Sequence, residues 1–119
     1  MPQKPLMTIV ETPAFVEAAR RLMSDEEVDG IKLTLASAPQ MGALMQGTGG
    51  VRKLRWALAG CGKRGGARVI YYYCNENIPL FLLFAYPKTE RDDLSKRECN
   101  ELRKLVSTLI DQYSQRRDP

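Results

Sequence analysis

The chain of 119 residues contains no histidine. That absence excludes every histidine-ligated metal site, every Ser-His-Asp or Cys-His nucleophile and any imidazole acid–base pair. An enzyme built from this sequence must take its acids and bases from lysine, arginine, tyrosine or the carboxylates. Cysteine is sparse: Cys61, Cys74 and Cys99 are odd in number and show no CxxC spacing, so neither a disulfide framework nor a zinc site is expected. Long apolar runs are missing too. The longest, Ile78–Tyr86, is broken by Pro79 and falls far short of the roughly 20 residues of a membrane helix. No apolar stretch follows Met1-Pro2-Gln3-Lys4-Pro5, so a signal peptide is not expected and a reducing cytoplasm is the expected compartment.

What is present is an ordinary globular composition, 44% hydrophobic, in a length that suits a single domain spanning 1–119 with frayed tails at about 1–6 and 114–119. The net charge of +4 is modest but unevenly placed. Residues 51–91 hold eight basic side chains against Glu76 and Glu90, and between Arg52 and Arg68 there are six cations and no acid. Solvated surfaces normally mix signs, so a one-sign stretch suggests a polyanionic partner. The plainer alternative is a basic face balanced in space by the acidic N-terminal half.

Local patterning predicts the order β-α-α-β-β-β-α. Met7–Val10 reads as an opening strand. Thr12-Pro13 reads as an N-cap with proline at the first helical position, followed by a stripe of Phe15, Val16, Ala19, Leu22 and Met23. Ser24-Asp25-Glu26-Glu27 is a capping box for a second helix, which Pro39 ends. Gln40–Gly50 reads as a glycine-rich loop. Arg52–Leu58 alternates, with Leu54, Trp56 and Leu58 on one side and Lys53, Arg55 and Ala57 on the other. A second glycine-rich loop, Ala59–Gly66, leads to strands over Ala67–Cys74 and Pro79–Tyr86. Ser95-Lys96-Arg97-Glu98 is another capping box, opening a helix with Cys99, Leu102, Leu105, Val106 and Leu109 at helical spacing. The expected fold class is α+β: an N-terminal helical hairpin packed on a small, mainly antiparallel sheet, plus a C-terminal helix.

Three groups of residues carry chemistry. Lys53 and Arg55 share a strand face with Arg52 beside them. If Ala57 pairs opposite Arg68, that arginine joins the face with Tyr72 further along, giving phosphate-binding cations and a stacking ring. The alternative is a charged, solvated sheet face. Gly60–Gly66, carrying Lys63 and Arg64, offers backbone N–H groups to an anion but matches neither GxxxxGK[ST] nor GxGxxG. Tyr86-Pro87-Lys88 closes the last strand, where neighbouring cations would lower the pKa of a tyrosine or lysine base. The alternative there is a turn with an exposed lysine. Asp92 and Asp93 read as residues favouring a helix N-terminus, with no catalytic role.

These blocks, Gln46-Gly47-Thr48-Gly49-Gly50-Val51-Arg52-Lys53-Leu54-Arg55, then Gly62–Tyr72, then Tyr86-Pro87-Lys88 and Asp93-Leu94-Ser95, resemble in order and spacing the HigB-type branch of the RelE/ParE toxin superfamily, over about residues 7–112. The resemblance implies a toxin of a type II toxin–antitoxin system, a RelE-like fold and ribosome-dependent cleavage of mRNA in the A site by 2′-OH attack on the phosphodiester. No metal, other cofactor, membrane or small-molecule substrate is implied. The implied partners are a cognate antitoxin of helix-turn-helix type, the ribosome and mRNA. By motif position Lys53, Arg55 and Arg68 match the family's catalytic cations; Arg52, Lys63, Arg64 and Tyr72 are the expected RNA-binding residues. The family's post-strand arginine falls at Thr89 and its final tyrosine at Ser95, leaving Tyr86 or Lys88 as substitute base. The other readings are a ParE-like inhibitor that binds DNA gyrase, or an inactive nucleic-acid-binding module.

Overall fold

The structure, a computed structural model, describes residues 6–58, 66–91 and 93–117, with the side chains of 114–117 left aside. Its elements are β1 (Ile9–Glu11), α1 (Pro13–Leu22), α2 (Asp25–Ser37), β2 (Ala43–Leu44), β3 (Val51–Ala57), β4 (Gly66–Tyr72), β5 (Leu80–Pro87) and α3 (Lys96–Arg117). The five strands form one sheet in the order β1-β5-β4-β3-β2. The α+β class and the two N-terminal helices are as expected. The sheet is mixed rather than antiparallel throughout, because β1 runs parallel to β5. β2 is an addition: two residues of the expected loop pair with Arg52 and Lys53. Of the frayed tails expected at about 1–6 and 114–119, residues 1–5 and 118–119 lie outside the described residues, as do the loop cations Lys63 and Arg64, while the backbone of 114–117 continues α3.

Helix boundaries follow the local chemistry. The Thr12 side chain accepts the Phe15 N–H at the start of α1, where Pro13 has no N–H to satisfy. Ser24 and Glu27 form a reciprocal capping box on α2, whose first turn is acidic as the helix dipole favours. Both helices lie on one face of the sheet. Phe15, Ala19, Ile31 and Leu35 pack there on Leu54, Val69, Tyr71, Leu80, Leu82 and Ala85. Phe15, Ile31 and Leu35 are fully buried, each stabilising the fold by roughly 1.5–3 kcal/mol relative to exposure. α1 rests chiefly on β5, and α2 brings Gly30 over the Trp56 indole, where an added Cβ would meet Cζ2 at 3.2 Å. The opposite face is covered by α3, whose Val106 and flanking Leu102, Leu109, Ile110 and Tyr113 meet Val51, Ile70, Tyr72, Phe81 and Leu83.

One irregularity decides what shares a face. Ile70 pairs with Phe84 but Tyr71 pairs with Leu82, so Leu83 is an extra residue on β5. A bulge of this kind inverts the side-chain alternation beyond it. Leu80, Leu82 and Ala85 consequently face α1 and α2, while Phe81, Leu83, Phe84 and Tyr86 face α3. Thr12 pins the bulge from the neighbouring segment. Its N–H donates to Leu82 O at 3.1 Å, and its hydroxyl donates to Leu82 O at 2.9 Å with Leu83 O at 3.2 Å. Thr12→Ala removes both a helix cap and the hydroxyl's part of this tie, and should lower unfolding stability by about 1–2 kcal/mol. Thr12→Ser should keep most of it. An unchanged denaturation midpoint for the alanine variant would contradict the assignment.

Candidate active site

The bulge and the ladder together build a row. Arg55 pairs opposite Arg68, and Arg68 opposite Tyr86, so three side chains from three strands line up across the sheet on the α3 face. The expected register, Ala57 opposite Arg68, is two residues out: Ala57 pairs with Gly66. A shift of two preserves the alternation, so Arg68 still joins the face of Lys53 and Arg55. At a strand spacing of about 5 Å the row spans on the order of 10 Å, the scale of a nucleotide with its flanking phosphate.

Each member of the row sits differently. Arg55 is exposed at the rim, whereas Arg68 is only 4% exposed, with Nη1 3.4 Å from Ala67 O. Like charges directly opposite one another destabilise an antiparallel pair, by up to about 1 kcal/mol. A buried guanidinium adds a desolvation cost. Lys53, one alternation step along β3 from Arg55, is largely sheltered and forms an ion pair with Asp93 at 3.1 Å. Tyr86 is 1% exposed. Arg91 lies over it, its guanidinium carbon 4.9 Å from the Tyr86 ring centroid and 6.0 Å from that of Phe84. Lys88 is exposed just beyond β5, and its N–H closes the ladder on Gly66 O at 2.9 Å.

Arg91 is a site residue that sequence patterning does not single out, since there it counts only as charge. It follows β5 by four residues and is held by Glu98, whose two carboxylate oxygens receive Nη1 at 2.7 and 2.6 Å. Glu98 is itself fixed in the capping box of α3, accepting the Ser95 N–H at 2.9 Å while Ser95 Oγ accepts the Glu98 N–H. The backbone hydrogen bond from Ser95, helped by Arg91 and opposed by partial burial, holds this carboxyl below the usual glutamate range. The local signal is the capping box; nothing in it announces that its glutamate also grips an arginine.

Two expected RNA contacts are not brought into the row. Arg52 points to the other face, as alternation requires, and its Nη1 donates to Gln40 O at 3.1 Å and Gly42 O at 2.7 Å. It acts with Tyr71, whose hydroxyl donates to Pro39 O and accepts the Gly42 N–H, both at 2.8 Å. Burial raises the Tyr71 pKa, against the pull of that N–H and of Arg52. The clamp requires glycine at 42, since an added Cβ would lie 2.7 Å from Tyr71 Cε1 and 3.0 Å from Lys53 O. Tyr72 is on the site face but packs beneath α3, 5% exposed, with its phenol pushed up to about 12 by burial and then by Cys74. It contributes to the core there rather than offering an open ring.

Beside the row opens a cleft of about 770 Å³. Lys53 and Arg55 of β3, Asp93 and Leu94, Cys99 of α3 and the segment 41–46 line it. The arrangement can hold a phosphodiester by its oxygens and stabilise extra negative charge on phosphorus. Among the described residues no three histidine, cysteine, aspartate or glutamate side chains come together to hold a metal ion. Nor is any helix among them long and apolar enough to cross a membrane.

The lowered Glu98 carboxyl makes stability depend on pH. Its folded pKa lies below the unfolded one, so its contribution is complete above about pH 5 and is lost as pH falls through the folded pKa. Glu98→Gln should therefore destabilise the protein at neutral pH and shrink the difference from wild type in strong acid, read by denaturation midpoints across pH. A constant difference would contradict the sign.

Over residues 7–117 the chain matches the family model described as the RelE toxin of the RelE/RelB toxin–antitoxin system. That match extends across the helices, the bulged sheet and the cationic row alike, and the chain accordingly belongs to the RelE toxin family, as a toxin of a toxin–antitoxin system whose family implies a cognate antitoxin partner.

Proposed function

We propose that the protein is an endoribonuclease that cleaves mRNA in the ribosomal A site and so halts translation. The observation that carries this reading is the row of Lys53, Arg55 and Arg68 on one face, with Arg91 over Tyr86 at its end. Cleavage proceeds by attack of a ribose 2′-OH on the adjacent phosphate, which places added negative charge on the non-bridging oxygens. Lys53 and Arg55, which line the cleft, would receive that charge, with the buried Arg68 opposite Arg55 adding to the local positive field, and preorganised cations aimed at developing charge are a principal source of rate acceleration in such a reaction. Lys88, exposed beyond β5, extends the cationic rim. The reaction needs no metal ion.

Within the family we assign the chain to the HigB-type branch, on the order of its motif blocks, with a helix-turn-helix antitoxin and a cytoplasmic site of action. A partner that silences the row must bring negative charge or cover it. Inhibition of a gyrase by binding alone would not explain arginines placed side by side at a cost in stability.

Purified protein added to ribosomes programmed with a defined mRNA should cut within the A-site codon. Arg55→Ala, at an exposed position that leaves the core intact, should slow cleavage by about 10²-fold or more. RNA binding should weaken by about one log unit per log of salt for each phosphate contacted. Uncut mRNA together with blocked supercoiling would overturn the reading in favour of a gyrase target.

A further inference from the structure

The expected bases, Tyr86 and Lys88, leave the deprotonation of the 2′-OH poorly served. Tyr86 lies buried beneath Arg91, and a lysine ammonium arrives already carrying its proton at neutral pH. We infer that Asp93 is the general base of the reaction, acting from the cleft beside Lys53. The inference rests on the nuclease reading and supplies the group that reading lacks.

Three observations support it. Asp93 Oδ1 lies 3.1 Å from Lys53 Nζ, while the rest of its side chain stays open, 75% exposed, against 18% for Lys53. Asp93 is the one carboxylate among the described residues that line the cleft. Helix capping does not account for it, because the N-terminus of α3 is capped by Ser95 and Glu98. The charged or titratable groups facing it are Lys53 and Arg55 from β3 and Cys99 from α3; the segment 41–46 contributes none.

A carboxylate is ionised and proton-accepting across the neutral range. Lys53 fixes its direction while the cleft is empty, then turns its ammonium to the phosphate oxygens when RNA enters. In the step itself the 2′-OH proton passes to the Asp93 carboxylate, and the 2′-oxygen lone pair forms a bond to phosphorus. The bond from phosphorus to the 5′-oxygen breaks, and that oxygen takes a proton from solvent water. The products are a 2′,3′-cyclic phosphate and a 5′-hydroxyl, and Asp93 returns its proton to solvent.

Single-turnover cleavage on programmed ribosomes tests this, alongside binding to ribosomes carrying the same mRNA with a 2′-O-methyl group at the cut site. Asp93→Asn should lose about 10²-fold or more in rate with binding to the uncleavable complex unchanged, and Asp93→Glu should recover part of it. The wild-type rate should be flat with pH across the neutral range, and the residual Asp93→Asn rate should climb in proportion to hydroxide. An Asp93→Asn protein as fast as wild type, or faster, would overturn the inference and make Asp93 a simple counter-ion to Lys53. A wild-type rate that rises with pH would overturn it in favour of a phenol or amine base. Wild-type protein that leaves the mRNA uncut removes the nuclease reading itself, and the inference with it.

Discussion

The placing of Tyr86 beside Arg68, and with it the end of the row that Arg91 closes, depends on one extra residue in β5. A strand alternates its side chains with a period of two, and β5 must satisfy a helical layer on each side of the sheet. Without the Leu83 bulge, a strand that gives Leu80 and Leu82 to α1 and α2 would also send Phe84 and Tyr86 there. With it, Ala85 continues the helical face and Tyr86 crosses to stand beside Arg68. The bulge is tied by the backbone N–H and hydroxyl of Thr12, which also caps α1, so the start of the first helix and the bulge are joined through a single residue. Changes in the N-terminal helices can therefore reach the site although no residue of theirs lies in it.

The second constraint is electrostatic. Arg55 and Arg68 face one another, Lys53 is one step away and Arg91 closes the end of the row. Such crowding works against folding, and the chain offsets it with two carboxylates of different character. Glu98 is built in: it caps α3, grips Arg91 through both oxygens and is held ionised by its surroundings. Asp93 is open to solvent and meets only Lys53 among the ion pairs described. The first shapes the site; the second is positioned to act in it. α3 thereby does more than cover Phe81 and Ile70, since its first turn orients the cation that lies over Tyr86.

Features encoded by short-range chemistry were legible in the sequence. Both capping boxes are where the Ser-x-x-Glu spacing puts them, and β3 alternates as its residues do, with Leu54 and Trp56 toward the helices and Lys53 and Arg55 away. Long-range facts were not. An all-apolar run such as Leu80–Tyr86 carries no alternation from which a bulge could be read, and the pairing of β3 with β4 is set by a connection whose length alone does not fix a register. The parallel pairing of β1 with β5 joins segments some 70 residues apart. Asp93 and Arg91 lie in the turn between Pro87 and Ser95, where position is decided by what the turn packs against. Their acidic and basic neighbours make them look like ordinary helix-end charges.

If the cationic row cleaves mRNA during translation, transcripts themselves carry the record. Producing the protein in cells without its antitoxin, and mapping transcript 5′ ends beside an Arg68→Ala control, tests this most directly. New ends should fall inside translated codons, absent in the control and absent when translation is blocked. Growth arrest with intact transcripts, or no arrest at all, would contradict cleavage by the row.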